Sequence, residues 1–267
     1  MTVSDLHGVA RTLLVPLACR AVESIRPDAI LRDPRAVEIY HALGGNPEFL
    51  LGMRATDAFI TVMRARQFDT FTRTFLDTNP DGLVVDIGCG LDTRFHRLDN
   101  GRMSWLGIDL PEVIELRRSV VPDTDRAETI GISMLDVSWL DEAARHNRPV
   151  LFLAEGVFPY FSTGDVKPLL TEMAARFPGS ELVFDAASPF ISRHHNRMSS
   201  VLKRSGARAR WDAKGPEAIE PWGFRLIDRW YYFDKPEPRL RAFGWMRLLP
   251  FIAKATGIFR YHIGGIS

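Results

Sequence analysis

A glycine-containing turn after a buried apolar run carries the clearest chemical signal in this 267-residue chain. The run Val84–Ile87 contains the carboxylate of Asp86 and is followed by Gly88 and Gly90. Two glycines allow a tight turn and let the backbone come close to a ligand. Asp109 follows 19 residues after Gly90, and a carboxylate at that spacing can bind both hydroxyls of a ribose. The pattern predicts a site for an adenosine-containing cofactor at the carboxyl ends of parallel strands.

The charge at this turn discriminates between cofactors. A nicotinamide dinucleotide site has the spacing GxGxxG, and this chain has Thr93 where the third glycine would stand. Asp86 would repel a pyrophosphate, whereas it would attract the ammonium of a methionyl group. The turn therefore favours S-adenosylmethionine, which has no phosphate, over the competing interpretation of a nicotinamide oxidoreductase. A strand, turn and helix with incidental glycines is the structural alternative.

Helical patterns precede the turn. Apolar residues at helical spacing predict helices over Val9–Ile25, Pro34–Leu43 and Thr56–Leu76. Asp33 before Pro34 is typical of an N-cap followed by a proline in the first turn. We therefore expect residues 1–79 to form a helical N-terminal cap.

Short apolar runs alternate with helical segments after the turn signal at residues 79–82. Helices are predicted over Pro111–Val120 and Val166–Phe177. Alternation of this kind predicts βαβ units, which form a mostly parallel sheet with helices on both faces. The runs that predict strands are Leu83–Ile87, Ser104–Ile108, Glu128–Ile132, Val150–Ala154 and Leu182–Phe184.

The C-terminal part has a different pattern. Phe224–Phe233 and Gly257–Ile263 are aromatic and β-branched, which predicts an antiparallel pair that completes the sheet edge. Arg239–Ala255 has the length of one helix, although Pro250 would break or kink it. The predicted fold class is α/β, a Rossmann-like sheet that is mostly parallel. Residues 80–267 would be its core, within a single domain that spans residues 1–267.

Composition limits the classes of function. Apolar residues make up 46% and charged residues 25% of the chain, as in ordinary globular domains. The formal net charge of +1 gives no bulk electrostatic reason to expect a nucleic-acid partner, and no apolar window predicts a membrane span. The two cysteines, Cys19 and Cys89, are far apart. Their spacing argues against a disulfide framework or a zinc site and fits a reducing cytoplasm.

Four strings together resemble the leucine carboxyl methyltransferase family, including its polyketide O-methyltransferases of the tetracenomycin type. They are VVDI, GCGLDTR, IDLPEVIELRR and LAEGVFPYF, and the resemblance runs from about Leu14 to the C-terminus. Most methyltransferases carry a third glycine where this chain has Asp92, and that departure points to this branch. Residues 230–234, WYYFD, and 261–264, YHIG, resemble the polyketide type.

The resemblance implies a class I methyltransferase fold and S-adenosylmethionine as the methyl donor. It implies transfer to a carboxylate or phenol oxygen of a small, polyketide-like acceptor. A protein C-terminal carboxylate is the family's other class of acceptor. A catalytically inactive scaffold that binds S-adenosylmethionine is the alternative from another functional class.

The resemblance also implies roles for individual residues. Arg66 matches an arginine that holds the cofactor's carboxylate, and Arg20 resembles a second basic position upstream. Asp109 would bind the ribose, and Glu155 would lie beside the reacting centre. Asp136 would lie by the adenine, with Leu135 or Val137 packing on the ring. The remaining implied cofactor contacts are Asp86, Gly88, Gly90 and Leu110.

Several of these residues have structural alternatives. Arg66 is also consistent with a solvated helix surface, and Asp136 with an N-cap. Asp92 and Arg94 are spaced for an internal ion pair that shapes the turn. Glu155 ends an apolar run, where a carboxylate is costly unless it faces a cleft, and this favours its functional role.

No catalytic residue is assigned by the sequence, and the candidates for a general base are His194, His195 and Tyr160. A carboxylate acceptor needs no base, whereas a phenol with a pKa of about 10 would gain from one. Residues Ile191–Arg210 contain six Lys or Arg, two His and no acid. This stretch predicts attraction of an anionic acceptor, either a free carboxylate or a substrate on an acidic carrier protein; a solvated basic loop is the alternative. Nearby aromatic residues form either an apolar wall for the acceptor or part of the core: Phe158, Tyr160, Phe161 and Phe190.

Overall fold

A computed structural model of the protein describes residues 13–45, 54–192, 208–234 and 236–264. Within these ranges the chain forms one sheet of seven strands. The strands are β1 (Leu83–Ile87), β2 (Ser104–Asp109), β3 (Ala127–Gly131), β4 (Val150–Ala154), β5 (Glu181–Ala187), β6 (Phe224–Tyr231) and β7 (Thr256–Ile263).

The strand order is β3-β2-β1-β4-β5-β7-β6. The first five strands in the chain pair in parallel, and β7 pairs antiparallel with both β5 and β6. The predicted mostly parallel sheet with an antiparallel C-terminal pair is confirmed. Because the chain leaves β1 in one direction for β2 and returns on its other side as β4, a crevice opens at the carboxyl ends of β1 and β4, where ligands bind in such sheets.

Helices cover the sheet at positions that largely match the predictions. They are α1 (Leu14–Ser24), α2 (Pro34–Ala42), α3 (Ala55–Thr78), α4 (Arg94–Leu98), α5 (Pro111–Val120), α6 (Trp139–Arg145), α7 (Thr163–Arg176) and α8 (Pro250–Ala253). Asp33 is the N-cap of α2, and its side chain accepts a hydrogen bond from Ala36 N at 3.0 Å. The part of the predicted helix before residue 13 lies outside the described residues.

The two faces of β1 enter different cores. Leu83, Val85 and Ile87 pack on the side of α6 and α7, whereas Val84 packs on the side of α3. Alternation along the strand therefore points Asp86 toward the α3 side. The predicted helical cap thus includes α3, a helix that packs directly on the sheet.

Arg239–Ala255 does not form one helix, and the break expected at Pro250 is present. This segment forms a 3-10 helix over Pro238–Leu248, which contains a non-helical residue at Leu240 (φ −107°, ψ 18°), and then the short α8. Pro250 begins α8, where its missing N–H is not needed. The proline therefore starts a second helix and does not lie within one.

Candidate functional site

The turn after β1 has a left-handed backbone at both glycines. Gly88 has φ +70° and Gly90 has φ +43°, which side chains with a Cβ rarely adopt. An added Cβ at Gly88 would overlap the side chain of Val157. Gly88 N donates to Ile108 O of β2 at 2.7 Å. These contacts hold the turn tightly between β2 and the segment after β4.

Asp109, the last residue of β2, faces this turn. Its Oδ2 accepts from Gly90 N at 2.8 Å, and its Oδ1 accepts from Leu110 N at 2.7 Å. Burial raises the pKa of the Asp109 carboxyl, against the lowering effect of these two hydrogen bonds. Each carboxylate oxygen keeps a further lone pair for a ligand hydroxyl.

Asp86 is a buried carboxyl group with an unsatisfied oxygen. Its exposed fraction is 2%, and among the described residues its Oδ2 has no hydrogen-bond partner. Burial, and then the nearby Asp92, raise the pKa of Asp86 well above its ordinary value. A buried acceptor left without a partner is costly, so this position suits a cationic donor from a ligand.

Glu155 lies between two arginines at the end of β4. Arg64 Nε donates to Glu155 Oε1 at 3.0 Å, and Arg94 Nη2 donates to Oε2 at 2.5 Å. Arg64 Nη1 also reaches Asp185 Oδ2 of β5 at 3.3 Å. Burial disfavours the charged form of Arg64, but Asp185 and Glu155 outweigh it and hold its pKa above the ordinary value. The end of β4 therefore carries a nearly buried cluster with both signs of charge.

The charged side chains of the GLDTR string form ion pairs with each other and with a carboxylate of α3. Arg94 is 1% exposed, forms an ion pair with Asp92 and donates to Asp69 Oδ1 of α3 at 2.7 Å. Arg97 also binds Asp69, at 3.0 Å, and Asp33 at 2.6 Å. The interpretation of Asp92 and Arg94 as an internal ion pair is confirmed.

Arg20 and Arg66 have different surroundings. Arg20 is buried, donates to Asp33 Oδ2 at 3.0 Å and to Leu91 O at 2.8 Å, and so ties α1 to the segment after the glycines. Arg66 does not point to the end of β4; it lines a surface cavity together with Arg97. The two residues of the RAR string on α3 therefore face different surroundings.

Sequence reasoning missed Arg64, although its helix position carries a signal. Phe68, Phe71 and Phe75 face the sheet, and Arg64 precedes Phe68 by four residues. Residues four apart share one face of a helix, whereas Arg66 is rotated from Arg64 by about 200°. The sheet-facing phenylalanines thus identify Arg64 as the arginine that reaches the strand ends.

The residues after β2 and β3 include two exposed apolar side chains and the carboxylate of Asp136. Leu110 is 38% exposed and Leu135 is 42% exposed, which leaves apolar surface beside Asp109. Asp136 Oδ1 accepts from Ser138 N at 3.1 Å, just before α6, and its hydrogen bonds with Ser138 lower its pKa. The N-cap of α6 is Ser138, so the interpretation of Asp136 as an N-cap is wrong. Its contact with adenine stays a prediction.

The candidates for a general base are only partly described. Tyr160 is half-buried in a 3-10 turn over Phe158–Tyr160, directly after β4. His194 and His195, with most of the basic stretch, lie outside the described residues. Phe158 is fully buried, with its ring centroid 6.1 Å from that of Trp211, so it belongs to the core. Phe190 is 64% exposed.

The described ranges do not meet the requirements of a membrane-spanning helix or of a metal site. There, each helix is too short or too polar to cross a bilayer. In the same ranges, no group of three His, Cys, Asp or Glu side chains is arranged to hold a metal ion.

Comparison with known proteins identifies consistent relatives. A model of the leucine carboxyl methyltransferase family matches residues 14–174. The tetracenomycin polyketide synthesis O-methyltransferase TcmP of Streptomyces glaucescens is 34% identical, over 86% of each chain. The S-adenosyl-L-methionine-dependent methyltransferase dpfgK of Gibberella zeae is 29% identical, over 97% of this chain and 93% of that one. A crystal structure from Thermobifida fusca YX, of a protein assigned as a methyltransferase, has the same fold: the TM-score is 0.59 at 15% identity, over 97% of this chain and 96% of that chain.

Proposed function

The chain belongs to the leucine carboxyl methyltransferase family and is an S-adenosylmethionine-dependent methyltransferase, and from this premise we propose that it methylates a carboxylate or phenol oxygen of a small, polyketide-like acceptor. The support for this acceptor is the 34% identity to TcmP over 86% of the chain.

The methionyl part of the donor fits the charges on the α3 side of the sheet. The unpartnered Oδ2 of Asp86 would accept from the donor's ammonium, which removes the cost of a buried unsatisfied acceptor. Arg64 would bind the donor's carboxylate, because its guanidinium lies at the strand ends between Glu155 and Asp185. The role that the family resemblance implied for Arg66 thus passes to Arg64, two residues earlier on α3.

The adenosine part fits the ends of β2 and β3. Asp109 holds both carboxylate oxygens in place through backbone N–H groups of the turn, and each oxygen can still accept from a ribose hydroxyl. Leu110 and Leu135 present exposed apolar surface that would pack on the two-ring base. Gly88 and Gly90 allow the backbone to pass close to the sugar.

When bound, S-adenosylmethionine supplies an electrophilic methyl group on a sulfonium. The chain's task is then to align the acceptor oxygen with that methyl group, and alignment can contribute about 7–11 kcal/mol. Glu155, clamped by Arg64 and Arg94, gives this part of the site a rigid wall. A carboxylate acceptor is already ionised and needs no base, whereas a phenol would use one of the candidates Tyr160, His194 or His195.

Within this proposal, an anionic acceptor would be a free carboxylate or a substrate on an acidic carrier protein. The basic stretch Ile191–Arg210 follows β5 in the sequence, and its six Lys and Arg residues favour an anionic acceptor. The enzyme would work in the cytoplasm, since Cys19 and Cys89 are both buried thiols.

Calorimetric titration with S-adenosylhomocysteine tests the donor site. We expect binding by the wild type and loss of about 100-fold or more in affinity for Asp109→Ala, because two charge-assisted hydrogen bonds are removed. An acceptor screen with aromatic carboxylic acids and phenols then tests the acceptor class. Turnover of neither class by a protein that binds the cofactor would contradict the proposed acceptor.

A further inference from the structure

A surface cavity of about 670 Å³ lies between α2, α3 and α4. We call it the arginine cavity, after the five arginines that line it: Arg32, Arg35, Arg66, Arg73 and Arg97. Two carboxylates, Asp33 and Glu38, also line it, so the arginines outnumber the carboxylates by three.

The lining carboxylates are already neutralised by neighbouring arginines. Asp33 receives Arg20 at 3.0 Å and Arg97 at 2.6 Å, and Glu38 receives Arg35 at 2.6 Å. The positive charge of the cavity therefore belongs to its other three arginines.

Those three arginines lack a close carboxylate partner in the described parts of the chain. Arg66 forms no ion pair there, and Arg32 donates to the backbone oxygen of Ser24 at 3.1 Å. Arg73 approaches only Asp69, at 4.0 Å, a carboxylate that already binds Arg94 and Arg97. Three guanidinium groups are thus available to an anion.

The arginine cavity is separate from the methyl-transfer site. Helix α3 ends at Thr78 and β1 begins at Leu83, so the second half of α3 lies toward the amino ends of the strands. Arg73 is about 13 Å further along the helix than Arg64, which lies at their carboxyl ends. Arg66 points away from Arg64 by about 200° around the helix.

We propose that the arginine cavity binds a phosphate-bearing anion. One guanidinium group can donate two parallel hydrogen bonds to two phosphate oxygens. The three arginines that lack a close carboxylate partner among the described residues line a cavity that has the volume of an organic-ligand site. Ile30 and Leu31 add apolar lining, which would contact an organic group attached to the phosphate. Free pyrophosphate and the organic phosphate coenzyme A share this chemistry, and both serve as probes.

Calorimetry on the full-length protein saturated with S-adenosylhomocysteine tests the proposal. We expect pyrophosphate to bind the wild type, and Arg66→Gln and Arg73→Gln each to weaken it by about tenfold or more. Arg54→Gln removes the same charge from the exposed start of α3, outside the cavity, and should change the affinity by less than about twofold. Tighter binding of coenzyme A than of pyrophosphate would identify an organic phosphate as the ligand. Tighter binding of pyrophosphate would identify a free anion.

Three results would overturn the proposal. One is the absence of pyrophosphate binding by the wild type at millimolar concentration. Another is a loss of affinity in Arg54→Gln that equals the loss in the cavity variants, since affinity would then depend on the overall charge of the protein and not on the cavity. The third is competition between pyrophosphate and S-adenosylhomocysteine, which would place the anion in the cofactor site.

Discussion

Arg64 Nε lies 3.0 Å from Glu155 Oε1, although 91 residues separate them in the chain. The contact joins α3, which precedes the sheet, to the end of β4 at the crevice. Arg94 binds the other oxygen of the same carboxylate, so one side chain connects two elements that are distant in sequence. A substitution at this position should therefore affect both the stability of the fold and the shape of the site.

Glu155→Gln should lower the free energy of unfolding by about 3 kcal/mol, because it leaves two nearly buried guanidinium groups without their shared charge. Asp57→Asn is the matched control. Asp57 pairs with Arg54 at the same distance of 3.0 Å, but on the exposed surface, where loss of a pair costs within about 1 kcal/mol. Urea denaturation of both variants measures the difference. Equal losses would mean that the Glu155 cluster is no stronger than a surface pair.

Gly88→Ala tests the close approach of the turn to the segment after β4. Its φ of +70° and that of Gly101, +77°, impose a similar backbone penalty of about 1 kcal/mol on alanine. At Gly101 an added Cβ would meet no atom within 4 Å, whereas at Gly88 it would overlap Val157. We expect Gly88→Ala to cost about 1–3 kcal/mol more than Gly101→Ala in urea denaturation. A similar cost for the two substitutions would show that Val157 moves aside freely.

The turn, the sheet and the Asp92–Arg94 ion pair could be predicted from the sequence, but the arginine contacts between distant elements could not. Strand β4 is a continuous apolar run and β1 is an apolar run that contains one carboxylate, Asp86. Both are buried on both faces, so their pattern clearly indicates central strands. Arg64 and Arg66 stand in one string, and only the packing of α3 decides which of them faces the crevice. The pairing of Arg97 with Asp33 joins residues 64 apart in sequence, and local spacing carries no signal for such a contact. The segment after β6 has the length of one helix, and its break at Pro250 could be predicted from the sequence, whereas the non-helical backbone at Leu240 could not.

Asp86→Asn should stabilise the cofactor-free protein. Burial and then Asp92 raise the pKa of Asp86, so the folded chain retains this proton at pH values where the unfolded chain, with a pKa of about 4, has lost it. The folded state then binds more protons, and its stability falls as the pH rises. We expect the variant to match the wild type at about pH 4 and to exceed it by on the order of 1–3 kcal/mol at about pH 7.

Asp136→Asn is the control of opposite sign for this pH series. Hydrogen bonds with Ser138 lower the pKa of Asp136, so its charge stabilises the fold above the unfolded pKa, and this contribution is lost as the pH falls. The Asn variant should therefore be less stable than the wild type at neutral pH and equal to it in acid. Urea denaturation across the pH range measures both variants. A destabilising effect of Asp86→Asn at neutral pH would mean that its charge is compensated in the free protein.

Because the pKa of Asp86 is raised in the free protein, we expect cofactor binding to release a proton. The ammonium of S-adenosylhomocysteine, placed beside Asp86 as we propose, favours the ionised carboxylate and lowers its pKa. Between the pKa of the free protein and that of the complex, binding must therefore expel the proton of Asp86, and affinity should rise with pH. Calorimetric titration in two buffers of different ionisation enthalpy counts the protons. Asp86→Asn should bind about 10–100-fold more weakly and release no such proton, whereas equal proton release from both proteins would place the ammonium at another carboxylate.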